Sequence, residues 1–348
     1  PGKVCDYFGF QYMRDIDAAQ AGHNPKFLNR VAGNVMRTLN DGQLQMFKDL
    51  AEEQAPQYIR LAEMRLPLIQ AFCRELSGQH PEGTSLSKEA VKNCVATIFA
   101  EDGSMSLKRA EVFGSVARSL TEAQKAFFAS MKFGDFASWP EADEREELRR
   151  IGRGRSKMET VAFMTYVSEF FSWYAGSLEA DTYFCPERHG TYFGGFYMKD
   201  MPAMGKRDYS ISLSRTGDSG RDFLELLDEG QRSLITGILD RQRNDLDEVV
   251  TTRRAISSEL RKCLAGGTPD RGRVLALARR YGELDGQMSW LYATSFAQVS
   301  KTLTGDQKER MMRLRDLDDY RSAPYYLYSD PIAGQPNLGD TSRFFAKP

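Results

Sequence analysis

Nine residues near the start of the chain return almost unchanged in its second half: Tyr7-Phe8-Gly9-Phe10-Gln11-Tyr12-Met13-Arg14-Asp15 against Tyr192-Phe193-Gly194-Gly195-Phe196-Tyr197-Met198-Lys199-Asp200 (198 − 13 = 185). Three more pairs follow in the same order at nearly the same spacing. Leu39-Asn40-Asp41-Gly42-Gln43 matches Leu227-Asp228-Glu229-Gly230-Gln231 (231 − 43 = 188). Asp102-Gly103-Ser104-Met105-Ser106 matches Asp285-Gly286-Gln287-Met288-Ser289 (288 − 105 = 183), and Leu120-Thr121-Glu122-Ala123-Gln124 matches Leu303-Thr304-Gly305-Asp306-Gln307 (307 − 124 = 183). Four collinear matches do not arise by chance, so the sequence reads as two copies of one unit, drawn at 1–180 and 181–348. The 348 residues suffice for two such units, at roughly 150 residues per domain.

Apolar residues recur at three- and four-residue steps through most of the chain, which predicts an all-α fold of two tandem helical units. Leu226, Leu227, Leu234, Ile238, Leu239, Leu246, Val249, Val250, Ile256 and Leu260 trace such a stripe. It predicts one long helix over 228–264, ended by Gly266-Gly267. The counterpart over 40–76 carries Pro56 and Pro67 and is expected to be the kinked or broken copy. Shorter helices are expected over 24–37, 87–100, 104–119, 121–132, 141–150, 156–178, 269–284, 287–301 and 304–320, with Asp102-Gly103 and Asp285-Gly286 falling between helices. An irregular, aromatic-rich connector occupies about 181–220 with a strand signal at 208–213, and the tail from Ala323 is expected to wrap back over the surface.

Basic and acidic residues nearly cancel, 47 against 48, so no overall field recommends nucleic acid or an acidic membrane as partner. The Arg149–Arg155 cluster reads as solvated surface, and no apolar run is long enough to cross a bilayer. The five cysteines show no C-x-x-C spacing, which argues against a structural zinc site or a c-type haem. In an oxidising compartment Cys73 and Cys94, flanking a Gly/Pro turn between two helices, are the pair to expect first, and buried reduced thiols are the alternative.

Each Leu-x-x-x-Gln repeat has a mechanical meaning. Asn40, Thr121, Asp228 or Thr304 at the N-cap accepts from an early backbone N–H, and Gln43, Gln124, Gln231 or Gln307 reaches back to the cap. Such a box contributes on the order of 1 kcal/mol. Four of these elements, two per all-helical unit, resemble the LTxxQ elements of the Spy/CpxP family of bacterial periplasmic stress proteins, over about 39–132 and 227–320. The resemblance implies a helical-hairpin fold, a periplasmic or secreted location, and ATP-independent, chaperone-like binding of partly folded clients on a concave helical surface. It further implies that this single chain holds, as a monomeric pseudo-dimer, what the family forms from two subunits.

The repeated aromatic element has no capping role. Its core-packing reading seats Tyr7, Phe8 and Gly9, with Tyr192, Phe193 and Gly194, closely against helices. The functional reading makes the same residues the lid or rim of a ligand groove; Asp15 and Asp200 are open to pairing with Arg14 or Lys199, capping a helix or facing solvent. Only the second copy has Cys185, His189, Met198, Met201 and Met204 around it, where the first keeps Met13 alone. Thioether, thiolate and imidazole ligands together favour copper(I), which makes a single metal site per chain the alternative function. Cys185-Pro186 is also a weak haem-thiolate signal. A structural module with one defined partner is the third reading. No G-x-S-x-G, P-loop, H-E-x-x-H or dinucleotide fingerprint occurs, and of the three histidines His23 stands by Asn24-Pro25 at a helix start and His80 precedes Pro81 in a turn, so catalysis is not expected.

Overall fold

The structure is a computed structural model that describes residues 7–8, 27–132, 135, 138–141, 143, 149–152, 154–176, 219–314, 325–327, 330–332 and 338–347. Those residues form ten α-helices and four short strands. The helices are α1 (Phe27–Thr38), α2 (Asp41–Ser77), α3 (Lys88–Arg118), α4 (Glu122–Ser130), α5 (Lys157–Ala175), α6 (Ser219–Leu226), α7 (Glu229–Thr236), α8 (Ile238–Arg261), α9 (Arg271–Thr302) and α10 (Gly305–Leu314). The all-α expectation stands, and one buried apolar cluster reaches from Tyr7 through α3 and α9 to Phe345.

Helix starts follow their capping residues closely. Asn40, Ser87, Thr121, Ser156, Asp228 and Asp270 each sit at an N-cap in extended conformation and accept from a backbone N–H three residues on. Helix ends are less uniform. α2 stops at Gly78, and a 3-10 turn after α8 (Lys262–Ala265) stops at Gly266, both glycines in the left-handed region at φ 70° and 80° that side-chain-bearing residues avoid.

Three helical expectations are corrected. The copy with prolines is the unbroken one: α2 runs from Asp41 to Ser77 through Pro56 and Pro67, with Gln54, Ala55, Leu61 and Leu68 of its inner face buried. Burial of that face offsets the hydrogen bond each proline removes. The copy without them divides at Gly237 into α7 and α8, where a glycine disfavours continuous helix by roughly 1 kcal/mol relative to alanine. Asp102-Gly103 and Asp285-Gly286 do not separate helices either, because each lies inside one long helix, α3 or α9.

The reason lies across a helix pair. A Cβ on Gly103 would come 2.7 Å from the Ala278 Cβ, one on Gly286 would come 2.8 Å from the Lys92 Cα, and one on Gly282 would come 2.6 Å from the Ala96 Cα. The glycines let two antiparallel backbones nearly touch, with Gly103 near Ala278 at one end of the seam and Val95 near Gly286 at the other. A local pattern sees a breaker where the fold has an approach point.

Strands are minor. Tyr325–Leu327 (β2) and Asp330–Ile332 (β3) form a hairpin, and Ser85–Leu86 (β1) pairs antiparallel with Phe345–Ala346 (β4). The tail does fold back: Phe344 and Phe345 are buried, the Ser87 N–H donates to the Phe344 carbonyl at 2.8 Å, and Arg74 covers the Phe345 ring at 4.9 Å while donating to Thr341 Oγ1 at 2.7 Å. Trp290 of α9 donates to the Leu86 carbonyl at 2.8 Å and so ties the same corner to the seam. Cys73 is an exposed, Cys94 a half-buried and Cys263 a buried free thiol, so the expected Cys73–Cys94 bridge is not formed. Burial pushes the Cys94 and Cys263 thiols above their ordinary range. No helix among the described residues is long and apolar enough to cross a membrane. The strand signal at 208–213, most of the 141–150 helix and nearly all of the 181–220 connector lie outside the described residues.

Candidate functional site

The four capping glutamines do more than close their own boxes. Gln43 accepts from the Asn40 N–H at 3.0 Å and Gln124 from the Thr121 N–H at 2.9 Å, while each cap side chain accepts from its glutamine's N–H. The two side chains then join: Gln124 Nε2 donates to Gln43 Oε1 at 2.8 Å and Gln43 Nε2 to Gln124 Oε1 at 3.3 Å. Their remaining protons reach the Thr38 carbonyl at 2.9 Å and the Ser119 carbonyl at 3.2 Å, at the ends of the preceding helices. Both amides are fully used in a buried position, which avoids the cost of roughly 1–3 kcal/mol for each polar group left unpaired.

The same arrangement is built a second time. Gln231 and Gln307 close boxes with Asp228 and Thr304, Gln307 Nε2 donates to Gln231 Oε1 at 2.8 Å, and Gln231 Nε2 donates to Gln307 Oε1 at 3.4 Å. The outer protons go to the Leu226 carbonyl at 2.8 Å and the Thr302 carbonyl at 3.1 Å. The acceptors of the two clasps stand at the same spacings as the sequence matches, 226 − 38 = 188 and 302 − 119 = 183. All eight capping residues expected from the sequence are therefore brought together, in two clasps of four.

Each of α2 and α8 also carries a buried glutamine that the sequence reading missed. Gln54 and Gln242 are both fully buried and 188 residues apart (242 − 54 = 188). Gln54 donates to the Met105 carbonyl at 2.9 Å and accepts from the Tyr166 hydroxyl at 2.5 Å. Gln242 accepts from the Tyr292 hydroxyl. The repeat spacing was the one signal available for them.

A buried cation without a counterpart completes the first of these environments. Arg109 donates to Glu169 Oε2 at 3.3 Å, to Asp102 Oδ1 at 3.4 Å and to Ser106 Oγ at 3.1 Å, with its side chain 5% exposed. Its guanidinium lies 5.4 Å from the Phe8 ring centre and 5.6 Å from that of Tyr166. Burial disfavours the charge, but Tyr58, Glu169 and Asp102 around it more than offset that and hold Arg109 above its ordinary range. Burial likewise pushes the Tyr58 and Tyr166 hydroxyls up, so both stay protonated. The cluster fixes α3, α5 and the aromatic element to one another.

Tyr7 and Phe8 take the packing role. Both are 1% exposed, their carbonyls accept from Ser257 Oγ at 3.1 Å and Ser172 Oγ at 2.7 Å, and Phe8 packs on Phe113 and Trp173. Gly9, Met13, Asp15, Tyr192, Phe193, Gly194 and Asp200 lie outside the described residues, as do the copper-type ligands Cys185, His189, Met198, Met201 and Met204. Among the described residues no group of three or more His, Cys, Asp or Glu could hold a metal ion. The expectation of solvated arginines at 149–155 is corrected for Arg150, which donates to the Met36 carbonyl and, at 3.0 Å, to the Leu39 carbonyl, capping the C-terminal end of α1. Comparison with models of protein families, with curated proteins and with solved structures finds no match to this chain.

Proposed function

We propose that this chain is a chaperone-like binding protein of LTxxQ type, two related helical units fused in one polypeptide that hold partly folded client proteins without nucleotide. The observation that carries the reading is the doubled glutamine clasp. In each unit two capping boxes lock side chain to side chain, so a short sequence element becomes a rigid junction between two helix starts and the ends of the helices before them. Further support comes from the seam between α3 and α9, whose contacts are exchanged by the repeat. Gly103 meets Ala278 and Leu275, while Gly286 meets Val95 and Lys92, and the two sets interconvert at a spacing of 183 (286 − 103, 278 − 95 and 275 − 92). That is the contact pattern of an isologous pair.

Such a frame holds amphipathic helices apart from one another at fixed angles and leaves their outer faces free for clients. Exposed apolar side chains on those faces include Ile59 and Ile69 on α2 and Leu234 on α7, and binding through them is weak and broad. The test is aggregation of an unrelated unfolding protein followed by light scattering, without ATP. Suppression at stoichiometric or lower amounts of this chain is expected, and an unchanged aggregation curve overturns the reading. Ile59→Ser with Ile69→Ser should weaken suppression severalfold at an unaltered melting temperature.

A further inference from the structure

One contact of the α3–α9 seam lies on the axis that would exchange the two units, because its partners are themselves repeat-counterparts: Phe99 and Gly282 (282 − 99 = 183). A residue facing its own counterpart marks the point about which the two helices cross. Here the counterparts could hardly differ more. Phe99 is among the larger fully buried side chains, at 1% exposure, and its ring packs edge-on against Tyr281 with centroids 4.9 Å apart. Opposite it stands a glycine whose added Cβ would come 2.8 Å from the Phe99 Cβ, 2.7 Å from the Val95 carbonyl oxygen and 2.6 Å from the Ala96 Cα.

We propose that the Phe99–Gly282 pair makes this seam selective for unlike units: the surface of α3 fits α9 and rejects a second copy of itself. The argument rests on the two-unit reading above and considers the three ways of pairing such helices. Two copies of the α3 surface in this register bring phenylalanine against phenylalanine where there is room for neither Cβ, so the backbones must separate and every close contact at Gly103 is lost. Two copies of the α9 surface bring glycine against glycine, which leaves the volume of a phenyl ring unfilled. Only the mixed pair fills the crossing point at this backbone distance. The flanking contacts are permissive by comparison, since Gly103 and Gly286 are small in both units. Specificity is therefore concentrated at the crossing, where Phe99 together with the backbone of Val95 and Ala96 excludes a side chain at 282.

The full-length chain can present all four occupations of the axis in one polypeptide. Wild type is Phe/Gly, Gly282→Phe is Phe/Phe, Phe99→Gly is Gly/Gly, and the double exchange Phe99→Gly with Gly282→Phe is Gly/Phe. Urea unfolding followed by circular dichroism should place both like occupations well below wild type, with the double exchange recovering at least half of the midpoint lost by the worse single variant. A double exchange at or below the worse single variant overturns the proposal. Should Gly282→Phe not fold, Gly282→Ala made with and without Phe99→Gly decides the matter, since it should lower the midpoint less in the Phe99→Gly background, and an equal or larger drop there overturns the proposal. Gly103→Ala and Gly286→Ala separate the two levels of inference. Comparable losses at these counterparts with an additive Phe99/Gly282 cycle leave the two-unit reading standing and remove the selectivity, whereas unlike losses remove both.

Discussion

The surroundings of α3 and α9 answer the same packing problem with different chemistry. Position 109 of α3 is an arginine enclosed by Asp102, Glu169 and two tyrosines, and the counterpart position on α9 (292 − 109 = 183) is Tyr292, hydrogen-bonded to Gln242. Asp102 and Ser106 recur as Asp285 and Ser289, all four buried. A buried hydroxyl can be satisfied by one partner, but a buried guanidinium requires a shell, and the shell is what recruits Glu169 of α5 and the ring of Phe8. The difference teaches that two buried sites with the same Asp and Ser at the same spacing are completed by different groups, according to which neighbours each helix must hold.

Removing the cation should give the largest contrast between the two environments. Arg109→Met leaves Asp102 and Glu169 as buried carboxylates around a lost partner and is expected to cost about 3–5 kcal/mol, against about 1–2 kcal/mol for Tyr292→Phe, which loses one hydrogen bond. Equal losses in chemical denaturation would break the comparison.

A smaller contrast is expected at the clasps. Gln124 is 9% exposed whereas Gln307 is half-buried, so Gln124→Ala should cost roughly 2–3 kcal/mol and Gln307→Ala about 1 kcal/mol. Reversal of that order in melting experiments would show that exposure does not set the strength of these junctions.

The smallest contrast is in acid. Glu259 accepts from Lys262 at 2.6 Å and from the Asp270 N–H at 3.1 Å and faces Arg273 at 3.3 Å. Hydrogen bonding by Lys262, ahead of the other contacts, holds its carboxyl below the ordinary value of 4.5. A carboxyl lowered in the folded state stabilises fully above that ordinary value and loses its contribution as pH falls through the folded one. The counterpart position on α2 (259 − 188 = 71) is Ala71, so Glu259→Gln should flatten the acid limb of the stability curve below about pH 4.5, with hydrogen exchange above that pH quickening in α8 and the start of α9 but not in α2. An unchanged acid limb would remove Glu259 from the account.

What was legible in the sequence follows from how local each signal is. Capping boxes announce themselves because a cap and its glutamine are three residues apart, and all four starts at Asn40, Thr121, Asp228 and Thr304 carry them. The joining of Gln43 to Gln124 spans 81 residues, and nothing local distinguishes a glutamine that closes one box from one that closes two. Gly103 and Gly286 were misread for a related reason, since glycine reports freedom of the backbone but not whether the freedom serves a turn or a close neighbour. Pro56 and Pro67 misled in the opposite sense, because a long buried face outweighed two missing hydrogen bonds. Arg109 was invisible, as its burial depends on three separate segments meeting.

The pairing of β1 with β4 joins Ser85 to Ala346, 261 residues apart (346 − 85 = 261). At about 5–20 residues per second, the ribosome delivers the second strand roughly 13–52 s after the first. Throughout that interval Leu86 and the end of α2 wait without their aromatic cover, and a nascent chain stalled before Phe344 would carry an open edge that a holdase or a neighbouring nascent chain could reach.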